Sequence, residues 1–293
     1  MTARSWLFVP GDSERKLVKA ESCGADVVIL DLEDSVAPEA KAAARVRVGE
    51  FLAAQARGRA RQYWVRINPL ESAAAAADLC AIAAGRPGGI VQPKTRSAAD
   101  VIRLGQHLDD LERQHGLAAG GISILPIATE TPAALFAMGG YGQCGSRLAG
   151  LTWGAEDLSA AVGASANQEA DGAWTAPYQL ARSLCLFGAA AAGVAAIDTL
   201  HINYRDEAGL RAACAVARRD GFTGKLAIHP DQVAVINAGF VPSAAELAHA
   251  QRVVALFAAH PGSAALSLEG RMVDLPHLRQ AEQTLARAAG VQA

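Results

Sequence analysis

VVILD at residues 27–31 is apolar at four successive positions before it closes on an aspartate. Seven other short runs share its character: SWLFV (5–9), YWVRI (63–67), GIVQP (89–93), ISILPI (122–127), LAGLTW (148–153), VAAID (194–198) and KLAIH (225–229). Half-exposed strands alternate apolar and polar residues, whereas strands covered on both faces of a parallel sheet read as nearly continuous apolar runs. These eight are of the second kind. Between them lie Ala-, Leu- and Arg-rich stretches with helical spacing: EAKAAARVRVGEFLAAQ (39–55), SAADVIRLGQHLDDLERQ (97–114), APYQLARSLCLFGAAAA (176–192) and DEAGLRAACAVARRD (206–220). Strand and helix alternating eight times predict an α/β protein, a (β/α)8 TIM barrel, with an open doubly wound sheet as the structural alternative.

Two regions exceed a minimal barrel. Residues 156–193 are too long for one helix and contain the polar stretch SANQEADGAWTAP, which reads as a loop over the strand ends. After the last strand come a helix (244–260), a Pro-Gly break, the apolar segment AALSLEGRMVD (264–274) and a final helix near 276–289. The expected division is a catalytic barrel over 1–240 and a C-terminal helical arm over 241–293, packing on a neighbouring subunit or capping the barrel. The run AAAAA (73–77) favours helix and carries no chemistry.

Composition removes several functions. Of 293 residues, 51% are hydrophobic and 19% charged, with a formal net charge of -2. A chain so balanced has no sequence-wide basic field to hold nucleic acid or an anionic membrane. The five cysteines, Cys23, Cys80, Cys144, Cys185 and Cys214, never form a C-x-x-C pair, and we read them as small core residues of a protein in a reducing compartment. The N-terminal stretch reaches Pro10-Gly11 too soon for a signal-peptide core, and no run approaches the ~20 apolar residues of a membrane span. A cytoplasmic location is expected.

Chemistry-bearing residues gather where the strands end. Pro10-Gly11-Asp12, Asp31-Leu32-Glu33-Asp34, Arg66-Ile67-Asn68, Pro93-Lys94, Glu130, Gly154-Ala155-Glu156-Asp157, Asp198 and His229-Pro230 each follow one of the eight runs. In a parallel barrel those ends share one face, where such enzymes carry their active sites. Glu130 and Asp157, on adjacent strand ends without a Cys or His pair nearby, suit a hard cation. Mg2+ takes one or two protein carboxylates and completes its octahedron with water and substrate oxygens. The alternative is that each carboxylate simply pairs with a base, Arg66 or Lys94. Asp31, Glu33 and Asp34 read as the groups that pin Arg66 and Lys94. The Arg66 fork suits a substrate carboxylate, although a strand-end arginine is as easily structural.

Other motifs fail on context. Gly140-Tyr141-Gly142-Gln143-Cys144-Gly145 fits G-x-G-x-x-G, but it follows a helical stretch and enters a strand, the reverse of a dinucleotide-binding turn. The chain contains no phosphate-binding G-x-x-x-x-G-K-[ST], no H-E-x-x-H and no G-x-S-x-G. The seven histidines lack ligand spacing. His229 either touches substrate or caps the last strand.

Taken in order and spacing, RSWLFVPGDSERKLVKAESCGADVVILDLEDSVAPEAKAAAR (4–45), VRIN (65–68), QPKT (92–95), ATETPAAL (128–135), LTWGAEDL (151–158), GKLAIHPDQVAVIN (224–237) and GRMVDLPHLRQA (270–281) resemble the family of citrate lyase beta subunits and malyl-CoA or citramalyl-CoA lyases. The resemblance spans nearly the whole chain. It implies a trimeric or hexameric (β/α)8 enzyme that cleaves a 3-hydroxyacyl-CoA to an acetyl thioester and a 2-oxo acid. It further implies Glu130 and Asp157 as ligands of Mg2+, with Mn2+ as an alternative, and Arg66 as anchor of the oxo-acid carboxylate beside the Gly154 and Ala155 backbone. Asp274 in GRMVD is similar to an acid/base that such enzymes supply from a neighbouring subunit, and Lys19 resembles a position near the coenzyme A phosphates. Ser13 stands where malyl-type relatives carry a basic residue.

Competing functions remain open on the residues alone. They are a citrate lyase beta subunit acting on an acyl-carrier-protein thioester, a metal-dependent aldolase for free hydroxy-oxo acids, a variant that also hydrolyses the thioester, and, least favoured, a non-catalytic binding barrel.

Overall fold

A computed structural model describes residues 3–55 and 62–292. Eight strands, β1 (Ser5–Pro10), β2 (Val27–Asp31), β3 (Gln62–Arg66), β4 (Gly89–Gln92), β5 (Ser123–Pro126), β6 (Gly150–Thr152), β7 (Ala195–Asp198) and β8 (Gly224–Ala227), pair in the order β5-β4-β3-β2-β1-β8-β7-β6. The named pairings are all parallel. Between β5 and β6 the ring is joined only by two isolated parallel bridges, Ile124 with Leu148 and Ile127 with Thr152. The barrel expectation therefore holds over all eight runs.

The helices are α1 (Glu14–Ala20), α2 (Lys41–Gln55), α3 (Ala73–Ala83), α4 (Ala98–Gln114), α5 (Pro132–Leu135), α6 (Ala155–Val162), α7 (Ala176–Ala192), α8 (Glu207–Asp220), α9 (Asp231–Gly239), α10 (Ala244–Ala259) and α11 (Leu275–Gln292). The segment 156–193 resolves into α6, a loop and α7. The stretch after Pro132 is helical for only four residues, and the G-x-G-x-x-G segment runs as 3₁₀ turns that bury Met138 and Tyr141 before entering β6. Its dinucleotide reading fails on structure as it does on context.

Side-chain alternation along a strand sets what faces the barrel interior. Trp6, Val27, Ile29, Trp64, Val91, Leu125, Ile127, Ile197 and Leu226 pack there as one buried cluster, with Phe8 against it. Two residues beyond Ile29 comes Asp31, and two beyond Trp64 comes Arg66, so the same parity that fills the barrel delivers charge to its C-terminal mouth. At the other end Trp6 and Trp64 meet edge to face, ring centroids 5.0 Å apart. Gly89 admits that pair, because a Cβ there would lie 2.5 Å from Trp64 Cε3. In this barrel the missing side chain at Gly89 is room for an indole.

The chain divides into two compact units, Ala3–Asn237 and a second running from Ala238 onward. In the second unit Ala250, Val253 and Phe257 of α10 pack with Val273 and Ala281. Ser243 and Glu246 close a reciprocal capping box at the start of α10. The apolar segment 264–274 folds as an antiparallel hairpin, β9 (Ala265–Leu268) and β10 (Arg271–Asp274). Glu269 and Gly270 form its two-residue turn, both at positive φ as a type I′ hairpin demands. Helical spacing had no means to reveal that turn.

The cysteine reading is corrected in part. All five are free, but only Cys185 and Cys214 are buried, Cys23 and Cys144 are half-buried, and Cys80 is exposed. No helix among the described residues is long and apolar enough to cross a membrane.

Candidate active site at the barrel mouth

Arg66 leaves the end of β3 and is gripped at once. Its Nε and Nη2 donate to Asp31 Oδ1 and Oδ2, both at 2.6 Å, and Nη1 lies 2.9 Å from Glu33 Oε2. The guanidinium also stacks over the Phe8 ring, 4.7 Å from its centroid. Asp31 takes one edge of the fork and leaves donors on Nη1 and Nη2 for another anion. Burial works to raise the Asp31 carboxyl, but the Arg66 fork, with the Ser35 and Glu33 amides, holds it below the usual range. Glu33 is buried with both oxygens lacking a hydrogen bond, and burial pushes it up to about 7 against the pull of Arg66 and Lys94.

Lys94, just past β4, spans the acidic pair. Its backbone N–H donates to Glu130 Oε2 at 2.5 Å, and its Nζ reaches Asp157 Oδ1 at 2.5 Å and Glu130 Oε1 at 3.6 Å. Nζ also lies 3.5 Å from both Glu33 Oε1 and Asp34 Oδ2. The residue adopts φ 52, a left-handed backbone that costs a non-glycine residue stability and that tends to occur where function needs it. Here it aims the amide at one carboxylate while the ammonium reaches the other. Burial opposes the Lys94 charge, yet Glu130, Asp157 and Glu33 together keep it protonated well above an ordinary lysine.

Glu130 and Asp157 do meet. Glu130 is 3% exposed, and burial pushes its carboxyl up to about 8, with the neighbouring Asp157 carboxyl adding to the rise. Asp157 is more open, its side chain 35% exposed; burial raises it, but the Lys94 ammonium above all holds it below the usual range. Gly154 permits the approach, since a Cβ there would lie 3.2 Å from Glu130 Cγ. One lysine among Glu33, Asp34, Glu130 and Asp157 leaves negative charge in excess. Hard oxygen donors in such a deficit fit a divalent cation like Mg2+. Among the described residues no group of three or more His, Cys, Asp or Glu is arranged to hold a metal, so an ion here must complete its shell with water and substrate.

Gly154 and Ala155 open α6 beside this pair, and the Gly154 N–H donates to Thr129 Oγ1 at 3.1 Å. The cavity they border also touches Arg66, Glu130 and Asp157. Trp174, from the polar loop before α7, lines it and packs edge to face on Trp153, centroids 5.1 Å apart. The loop expected over the strand ends therefore supplies a wall of the cavity.

Behind Trp153 lies a buried ionic knot that the sequence did not reveal. Asp198 Oδ1 accepts from Trp153 Nε1 at 2.8 Å and Arg182 Nε at 3.2 Å, and its Oδ2 accepts from Lys225 Nζ at 2.9 Å. Burial raises Asp198, but Lys225, Arg182 and the indole outweigh it and hold the carboxyl below the usual range. Asp198→Ala leaves two cations facing a void and is expected to cost ~3–5 kcal/mol of stability. An unchanged denaturant midpoint would show the knot to be dispensable.

The remaining sequence-selected residues sit elsewhere. Lys19 is exposed on α1 and does not line this cavity. His229 stacks on Tyr204 at 4.5 Å and faces Asp231 in a separate cavity. Asp274, at the end of β10, pairs through Oδ1 with His277 Nδ1 at 2.5 Å, and the His277 ring holds its carboxyl below the usual range.

Comparison with known proteins follows the same outline. Residues 4–230 match the family model described as HpcH/HpaI aldolase/citrate lyase, and residues 182–291 match one described as a C-C bond lyase of the TIM-barrel fold. A citrate lyase subunit beta-like protein of Mycobacterium tuberculosis is 37% identical, the alignment covering 97% of this chain and 94% of that protein. A (3S)-malyl-CoA thioesterase of Cereibacter sphaeroides is 34% identical over 99% and 96%. The crystal structure of protein CitE from M. tuberculosis in complex with magnesium, acetoacetate and coenzyme A superposes with a TM-score of 0.81 at 35% identity, covering 98% of both chains.

Proposed function

The chain belongs to the HpcH/HpaI aldolase/citrate lyase family, and from that premise we propose that it is a Mg2+-dependent carbon-carbon lyase cleaving a malyl-type 3-hydroxyacyl-CoA to a short acyl-CoA and a 2-oxo acid. The observation that carries the reading is that Glu130 and Asp157 converge on the Lys94 ammonium in one cavity, beside an arginine fork that retains free donors. The magnesium and coenzyme A bound to the CitE relative add support.

Arg66 receives the carboxylate next to the carbinol carbon, and the start of α6 at Gly154 and Ala155 borders it. Fixed by Asp31 and Glu33, the guanidinium binds without reorganising and sets the carbinol against the acidic pair. Glu130 and Asp157, which flank the Lys94 ammonium, are the residues that would hold the ion. The chemistry such an ion would supply is charge stabilisation at the hydroxyl oxygen as that oxygen becomes a carbonyl. The bond between the carbinol carbon and the adjacent methylene breaks, and its electron pair stays on the methylene carbon as a thioester enolate. One proton must leave the hydroxyl and one must reach that carbon. Asp274 is the acid/base in this reading, taking the first and returning the second, delivered by the arm of a neighbouring copy in a homotrimer or homohexamer. Lys19, exposed on α1, is the proposed contact for the coenzyme A phosphates.

The test is a screen of malyl-, citramalyl- and citryl-CoA with and without Mg2+, following both 2-oxo acid and free coenzyme A. Metal-dependent release of 2-oxo acid is expected. The thioesterase name of the Cereibacter relative favours one second reading, hydrolysis, which would appear as free coenzyme A and an intact hydroxy acid. Neither product from any thioester would end the assignment.

A further inference from the structure

We propose, building on the lyase reading above, that the cavity accepts a hydroxyacyl unit whose carbinol carbon bears one carboxylate and a hydrogen or methyl group, and rejects one that bears a second carboxylate. The observation is how the cavity distributes charge. Arg66 is the only cation among its described lining residues. Away from Arg66 and the acidic pair, the walls are mainly apolar, Trp153, Trp174, Leu200 and Leu226 among them, and the polar side chains there are the acid Glu156 and the hydroxyl of Thr199.

The neighbouring cations are committed elsewhere. Lys94 is held by Asp157 and ringed by Glu33, Asp34 and Glu130. Arg182 and Lys225, behind Trp153, both point at Asp198, and Arg182 also binds Asp220 at 2.7 Å. The charge count agrees. Asp31, Glu33, Asp34, Glu130 and Asp157 face Arg66 and Lys94 among the described residues, so even a divalent ion would leave the mouth without surplus positive charge, and the open anion site is the Arg66 fork. The first substrate carboxylate fills it.

A substituent on the carbinol carbon then meets aromatic and aliphatic surface. Hydrogen or methyl is welcome there, since apolar area leaves water. A carboxymethyl group would bring a second anion against indole and leucine beside Glu156, with the Thr199 hydroxyl but no second cation to replace its lost water, a larger penalty than an ill-fitting methylene.

The experiment measures kcat/KM of the full-length protein with Mg2+ for malyl-, citramalyl- and citryl-CoA. Malyl- and citramalyl-CoA are expected to be cleaved, and citryl-CoA to lag citramalyl-CoA by about 100-fold or more. Citryl-CoA equal to or better than citramalyl-CoA overturns the inference while leaving the lyase reading intact. If no thioester is cleaved, the lyase reading fails, and the cavity is tested without turnover through quenching of Trp153 and Trp174 fluorescence. Pyruvate should then bind more tightly than oxaloacetate, and the reverse order overturns the inference. Leu200→Arg, which supplies the missing cation, should narrow the gap between citramalyl- and citryl-CoA, and a folded variant with the gap unchanged argues against the cavity as its source.

Discussion

Glu130→Gln and Asp157→Asn should each lower kcat/KM by about 1,000-fold or more, because charge stabilisation at the nascent carbonyl is worth several kcal/mol and each ~1.4 kcal/mol is tenfold in rate. Both amides keep the volume of the native side chain, so the cavity survives. The buried setting of Glu130 makes the replacement mild for folding, since a neutral group is easier to bury than the carboxylate it replaces. The thermal midpoint without metal is therefore expected to stay near that of the parent, whereas the midpoint rise on adding Mg2+ should disappear. That rise is read without any substrate, so it separates lost ion binding from lost turnover. Either variant retaining a metal-independent rate near that of the parent protein would remove the ion from the account.

Asp274→Asn should lower kcat by about 100- to 10,000-fold, the usual worth of a positioned acid/base, while leaving 2-oxo acid affinity unchanged. The native carboxylate is held by His277 at 2.5 Å, and the amide keeps its shape but cannot take the hydroxyl proton. If the arm serves a neighbouring barrel, chains carrying Asp274→Asn mixed under exchange with chains carrying Glu130→Gln should regain activity. Sites then arise that combine an intact barrel from one chain with an intact arm from the other. An unchanged kcat in Asp274→Asn would give the proton to another residue. Failure of the mixture to recover, with both variants folded and exchanging, would place the arm's action within its own chain.

The strands were legible because a parallel barrel buries both faces of each strand, and VVILD or GIVQP can scarcely be anything else. The strand ends were legible for the same reason, since alternation carries Ile29 to Asp31 and Trp64 to Arg66. What escaped depends on backbone geometry or on partners distant in sequence. The positive φ of Lys94 follows an unremarkable Pro93 and leaves no composition signal. Asp198 stood out only as a strand end, and nothing near it in sequence announces Trp153, Arg182 and Lys225 as its partners. Trp174 left a faint trace: an indole in the polar stretch SANQEADGAWTAP is costly to expose, which points to a pocket it covers. The hairpin at 265–274 was hidden because an eleven-residue apolar segment reads equally as one packed stretch until the left-handed pair Glu269-Gly270 folds it back.

The thin join between β5 and β6 has a mechanical consequence. The β7 and β8 strands share two consecutive residue pairs and the other neighbours three or more, whereas β5 and β6 meet at two separate bridges. Glu130 follows β5 and Asp157 follows β6, so an ion shared by them, as proposed above, would rivet the ring where its strands meet at separate bridges. Amide hydrogens along that seam, such as those of Ala128 and Ala149, should exchange slowly with solvent deuterium when Mg2+ is present and faster when it is stripped away.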